Sequence, residues 1–201
     1  MDQYVDMLKE VGNIGIGNAA TALAELLSSK IKMTVPRTDF VPVEEVFIRV
    51  GRVEELVAAV MLRVDGDLSG TVLFVFNEAS ALKLIIQILG QPVATIQEIG
   101  EMEESMLMEV GNVLMGSFLN AISAMTQFTI IPAVPLFTFD MLGSVVNSSL
   151  LGTGMVQDKV LLIETCLSQE GNGVYGNLLF FFDIGSLDAL LSVLQTQLES
   201  I

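Results

Sequence analysis

Two glutamates each stand three residues ahead of an asparagine, in Glu10-Val11-Gly12-Asn13 and again in Glu109-Val110-Gly111-Asn112. Residues three apart on a helix are neighbours on one face. Each pair therefore presents a carboxylate and an amide side by side. A carboxylate can act as a general base, if its pKa is raised and it reaches the proton, or it can hold a cation. An amide donates and accepts hydrogen bonds but is no base. Helical steps extend the first face to Asp6, Glu10, Asn13 and Gly17, and the second to Ser105, Glu109, Asn112 and Gly116. Each polar stripe ends in glycine, which has no side chain to obstruct an approaching surface. Gly12 and Gly111 sit inside the helices at a cost of about 1 kcal/mol each relative to Ala, which points to packing or close approach. One exposed Glu-x-x-Asn pair is ordinary solvated helix surface. Survival of the stripe in a second copy, where most surface positions have diverged, favours function.

The composition removes other chemistries. The 201 residues include no His and one Cys. Ser-His and Cys-His nucleophile pairs, His-ligated zinc and CxxC metal sites are thereby excluded, and no metal site is expected. Cys166 reads as a strand residue of the core. A net charge of −15 repels phosphate backbones, so nucleic acid is excluded as a partner and a protein with a basic rim is favoured. With 52% apolar residues the chain can bury enough surface to fold. The acidic start lacks a signal-peptide pattern, so a cytoplasmic location is expected. Residues 110–139 carry no charge and are long enough to span a bilayer. Their many polar side chains and two prolines instead suit a buried helix followed by a strand, and no membrane insertion is expected.

The elements that position these residues come in two sets. Leu8-Lys9-Glu10-Val11-Gly12-Asn13 recurs as Leu107-Met108-Glu109-Val110-Gly111-Asn112, and at the same offset Pro36 and Phe40 meet Pro135 and Phe139. Further on, at a larger offset, Gly70, Leu73, Phe74 and Phe76 meet Gly176, Leu179, Phe180 and Phe182. The extra residues are assigned to the Gly/Ser-rich stretch 143–154. The chain reads as one domain, 1–201, of two repeats, 1–90 and 101–201, joined by a linker, 91–100. Long helices are predicted over 2–28 and 102–125 from their apolar period. Pro36 and Pro135 turn their preceding residues away from helix. Residues 40–50 and 56–64 read as strands, with a turn at Asp65-Gly66-Asp67 and a returning strand over 70–76. In the second repeat 160–167 and 174–182 form the hairpin, around a turn over 169–173. Asn77 and Asp183 are placed as N-caps of closing helices. The fold class is α+β: pseudo-two-fold duplicated lobes, a mostly antiparallel sheet and long helices packed on it.

The pattern [DS]-x3-E-x2-N-x22-P occurs twice, at Asp6, Glu10, Asn13 and Pro36 and at Ser105, Glu109, Asn112 and Pro135. This resembles the CheC-type chemotaxis phosphatases, the family that includes CheX and FliY. The resemblance covers essentially the whole chain, and two sites with no further domain make it most similar to the CheC members. It implies an enzyme, a phosphatase acting on the phosphorylated response regulator CheY. The regulator's acyl phosphate would be held with Mg²⁺ and a Lys in its own pocket, so no cofactor is expected on this chain. The resemblance implies that Asn13 and Asn112 orient the attacking water, and that Glu10 and Glu109 anchor the regulator through its Lys. Asp6 and Ser105 differ between the copies and are assigned to support, with Gly17, Gly116, Pro36 and Pro135. The deamidase CheD is a further implied partner. The rival reading is a non-enzymatic binding module, at the flagellar switch or as an adaptor for CheD. Met102, Met106, Met108 and Met115 are read mainly as core.

Overall fold

In the computed structural model, which describes residues 2–26, 32–90, 93, 95–151, 156–169 and 172–199, both site motifs lie inside long helices. Helix α1 spans Asp2–Leu26 and α4 spans Glu101–Thr126, matching the 99-residue offset of the motif along their length. The proposed extension of α1 to Ser28 lies outside the described residues. Each helix buries one apolar stripe: Leu8, Val11, Ile16, Ala19 and Leu23 on α1, and Leu107, Val110, Leu114, Phe118 and Ile122 on α4. The remaining turns face outward. Of the described helices, α4 is the one long and apolar enough to cross a membrane, and half of its most apolar window is buried against the rest of the fold.

Among the described residues seven strands follow: β1 (Lys32–Pro42), β2 (Leu56–Gly66), β3 (Gly70–Asn77), β4 (Ile130–Pro132), β5 (Leu136–Met141), β6 (Val156–Gln169) and β7 (Asn172–Asp183). They form one antiparallel sheet in the order β1-β6-β7-β3-β2, with β4 and β5 both on the outer side of β2. The repeats interleave. Strand β1 of the first pairs with β6 of the second, and β5 of the second pairs with β2 of the first. At the centre β3 pairs with β7, and Leu73 stands opposite its own repeat equivalent, Leu179. The pseudo-dyad passes through that pair.

Two layers of helices cover the sheet. Helices α1, α4, α3 (Glu78–Leu89) and α6 (Ser186–Glu199) lie over the face that carries Phe74, Phe76, Phe180 and Phe182. The opposite face carries Leu73, Val75, Leu179 and Phe181 under α2 (Val43–Arg49) and α5 (Leu142–Leu151). With both faces covered, β3 is buried from Gly70 through Phe76 and reads as a continuous apolar run.

Three expectations are corrected here. Residues 43–49 are helix, not strand. Val43, Val46, Phe47 and Val50 recur at helical spacing and pack into the second core cluster. Glu44 and Glu45 lie in the first turn and Arg49 in the last, both favourable to the helix dipole. The extra residues of the second repeat are not mainly in 143–154. Residues 142–151 form α5, the counterpart of α2, and residues 152–155 lie outside the described set. The pair Val60–Phe74 has its counterpart in Leu161–Phe180, so the second hairpin is the longer one and takes most of them. Its proposed turn includes residues 170 and 171, which are not described.

Asn77 does cap α3, its side chain accepting from the Ser80 amide at 2.8 Å, and Gly90 ends that helix at φ 66°. Asp183 does not cap α6, which starts at Ser186 after Gly185 at φ 85°. Instead its carboxylate receives both Nη groups of Arg63, with Nη1 donating to Oδ1 at 2.9 Å. This ties β2 of one repeat to β7 of the other. Burial alone would raise the Asp183 carboxyl, but the Arg63 hydrogen bond, a Ser69 hydrogen bond and the Arg63 charge outweigh it and hold the pKa below the usual range. A depressed carboxyl contributes stability above its unfolded pKa, about 3.9, and loses it as pH falls through the folded value. Asp183→Asn is therefore expected to lower stability at pH 7 by about 1–2 kcal/mol. The gap to wild type should close below about pH 4. Urea midpoints measured against pH check this; a gap that persists unchanged at acid pH would contradict it.

Candidate active site

Helices α1 and α4 pack against each other on the same face of the sheet. The N-terminal half of α1 lies beside the C-terminal half of α4. They approach tightly at Gly15, where a Cβ would sit 2.9 Å from the Cα of Phe118 and 3.0 Å from the Ser117 carbonyl oxygen. Only glycine permits that approach, because the obstacle is backbone. The Phe cluster of the sheet supports both helices from below. The outward faces of two adjacent helices are thus held rigidly by core packing, with no loop involved.

Asp6, Glu10, Asn13 and Gly17 are all exposed on α1. On α4, Ser105 and Glu109 are exposed, while Asn112 and Gly116 are half-buried. The structure therefore brings each predicted quartet onto one helical face, with the first more open than the second. None of the Glu and Asn side chains has a hydrogen bond or ion pair with another described residue. Their polar groups are free to meet a partner. A Cβ on either Gly17 or Gly116 would meet nothing within 4 Å. These glycines are not required by packing within the chain.

Gly12 and Gly111, the glycines inside the motifs, differ. A Cβ on Gly111 would stand 2.6 Å from Val60 Cγ2 and 2.8 Å from its Cβ, so α4 needs glycine to lie on β2. A Cβ on Gly12 would make ordinary contact, 3.7 Å from Val35. Pro36 and Pro135 stand apart from the two faces. Pro36 sits in the irregular step between Thr34 and Arg37 on edge strand β1, where a missing N–H is tolerated. Pro135 immediately precedes β5. Both prolines shape the edge strands that the site helices lead into.

Of the methionines beside the second motif, Met115 is buried, Met106 and Met108 are half-buried and Met102 is exposed. Cys166 is half-buried on β6. Among the described residues no group of three or more Asp, Glu or Cys is placed to hold a metal ion.

Sequence reasoning did not find a groove beside the first motif. It lies between α1 and the C-terminal half of α4, has a volume of about 420 Å³, and is lined by Met7, Glu10, Val11, Ile14 and Asn18 with Asn120, Ala121, Ala124 and Met125. Ile14, next to Asn13, is 53% exposed. An isoleucine on the outward side of an amphipathic helix was the available signal.

A model of the CheC-like family matches residues 5–38 and 102–138, the two segments that carry the motifs and the strands after them. The CheY-P phosphatase CheC of Bacillus subtilis is 34% identical over 173 residues, covering 85% of this chain and 83% of that protein. Among solved structures, FliY of Thermotoga maritima superposes with a TM-score of 0.74 at 21% identity, covering 98% of each chain. CheX, in the CheX–CheY–BeF3–Mg²⁺ complex of Borrelia burgdorferi, superposes with a TM-score of 0.51 at 16% identity, covering 84% of this chain and 95% of that one. The two structural likenesses speak to the fold.

Proposed function

The chain belongs to the CheC-like family, and on that footing we propose that it hydrolyses the acyl phosphate of the phosphorylated response regulator CheY. The observation that carries the reading is the duplicated Glu-x-x-Asn face, outward on two rigidly packed helices and without partners among the described residues. The name of the B. subtilis relative supports the substrate. The complex of a structural neighbour with CheY supports the kind of partner.

In this reading Glu10 or Glu109 pairs with a Lys of the regulator and sets the register of docking. Asn13 or Asn112 then enters beside the phosphoryl group. Its amide donates to and accepts from a water, holding it in line with the bond to be broken. The water oxygen bonds to phosphorus, the phosphorus–oxygen bond to the regulator's Asp breaks, and the products are inorganic phosphate and a free carboxylate. Mg²⁺ belongs to the regulator's pocket, so this chain has only to add geometry. A neutral amide suits that task because a carboxylate in its place would bring negative charge toward the phosphate. Positioning of this kind lowers a barrier by up to about 7–11 kcal/mol in the best intramolecular cases. The chemistry takes place in the cytoplasm.

Phosphate release from phosphorylated CheY tests the reading. Glu10→Ala with Glu109→Ala is expected to weaken regulator binding about tenfold or more, and turnover at subsaturating regulator with it. Wild-type binding and turnover by that double variant would remove the anchoring role.

A further inference from the structure

We propose that the groove between α1 and the C-terminal half of α4 receives an apolar side chain of the docked regulator, and that Ala124 is the residue that keeps it open. The inference rests on the reading above and deepens it. It gives the two faces different docking chemistry.

Three observations carry it. First, the groove is continuous with the motif, since Glu10 itself forms part of its wall. A regulator held by Glu10 covers the groove. Second, its lining is mostly apolar, with Met7, Val11, Ile14, Ala121, Ala124 and Met125 around about 420 Å³ of space. Two flexible methionines in its wall, Met7 and Met125, suit adaptation to an inserted side chain. Third, the pseudo-dyad offers an internal comparison. The offset that carries Glu109 onto Glu10 carries Ala124 onto Glu25. Glu25 is exposed on α1. The position that is a methyl group beside Glu10 is a second carboxylate on the side of Glu109. An apolar side chain gains by entering the first groove, where it loses water. Beside the second face it would press on a carboxylate, which keeps its water. The first face thus holds the regulator through one ion pair and one apolar contact. The second holds it through charge.

The test separates the faces with the anchoring residues. Glu109→Ala leaves the first face and Glu10→Ala leaves the second. Into each background go Ala124→Phe, which fills the groove, and Ala124→Glu, which copies the second repeat; Ala124→Ser serves as the conservative control. Binding is measured with beryllofluoride-charged CheY and turnover with phosphorylated CheY. Ala124 is exposed on a helix, and circular dichroism checks that each variant is folded. In the Glu109→Ala background both large substitutions should raise Kd and KM about tenfold with kcat within about twofold. Ala124→Ser should stay near wild type, and in the Glu10→Ala background none should act. Unchanged Kd in the first background, equal effects in both, or tighter binding by Ala124→Glu would overturn the proposal. If the Glu10→Ala, Glu109→Ala double variant binds and hydrolyses like wild type, the anchoring reading has failed by itself. The groove is then judged with the second face blocked by Gly116→Phe in place of Glu109→Ala, since a side chain at Gly116 meets nothing within the chain. There a tenfold loss of binding on adding Ala124→Phe upholds it and an unchanged Kd overturns it.

Discussion

Replacing Asn13 and Asn112 together by Ala is expected to reduce phosphate release from phosphorylated CheY by about 100-fold or more, the scale on which misplaced reacting groups lose rate. Binding of the regulator should remain near wild type. The two readouts part because the amide holds a water, whereas the neighbouring glutamate holds the partner. Neither asparagine side chain has a hydrogen bond with another described residue, and Asn13 is exposed and Asn112 half-buried on their helices. Their truncation should leave the fold intact, with stability changes within about 0.5 kcal/mol. Each single replacement should retain activity, since the second face survives on another helix. Wild-type hydrolysis by the double variant, measured alongside its binding, would show that docking without catalysis is what the duplicated face provides.

The largest expected loss of stability lies at the centre of the sheet. Phe180 is fully buried, with its ring 4.2 Å from that of Phe182 in a stacked pair. Its repeat equivalent, Phe74, is equally buried and lies 4.8 Å from Phe76. These four rings form the floor beneath α1 and α4. Phe180→Ala removes a ring from a site walled by strands on both sides and helices above, where collapse is restricted. A loss of about 3–5 kcal/mol is expected. That is a large share of the roughly 5–15 kcal/mol that holds a domain folded. Phe74→Ala should cost a similar amount, because the pseudo-dyad gives it the same surroundings. Urea unfolding of the two variants checks both statements. A cost below about 1 kcal/mol for either would mean that the core repacks around the gap.

The site was more legible in the sequence than the sheet was. Glu10 and Asn13, like Glu109 and Asn112, owe their common face to a local rule, the helical period, and the duplication marked that face as unusual. The helices themselves were legible for the same reason. Strand partners were not. Nothing in Lys32–Pro42 says that it pairs with β6 of the other repeat rather than with β2, because pairing is decided by the whole sheet. The segment 43–49 was mistaken for strand because Val, Phe and Ile favour extended backbone. Its spacing at three and four residues, with Glu44 and Glu45 ahead of Arg49, was the better guide. Asp183 was mistaken for a helix cap because its equivalent, Asn77, is one. Two further residues before α6 and a charged partner in Arg63 gave it another role. The groove beside Glu10 depends on how two helices cross, which is set by Gly15 against the α4 backbone and has no signature along either helix alone.

The exchange of edge strands between the repeats also has a history in time. As the chain leaves the ribosome, β2 and β3 can close into a hairpin at once. Strand β1 cannot, because the Ser168 that pairs with Lys32 is 136 residues further on. Until then β1 offers an unmatched edge carrying Val35 and Val41, the kind of edge that recruits strands from other molecules. Long-range antiparallel pairing of this sort places a chain among the slower folders, in milliseconds to seconds rather than microseconds. The last strand pairs to be translated are thus the ones that complete the first, and nascent first repeats on one message are each other's nearest wrong partners.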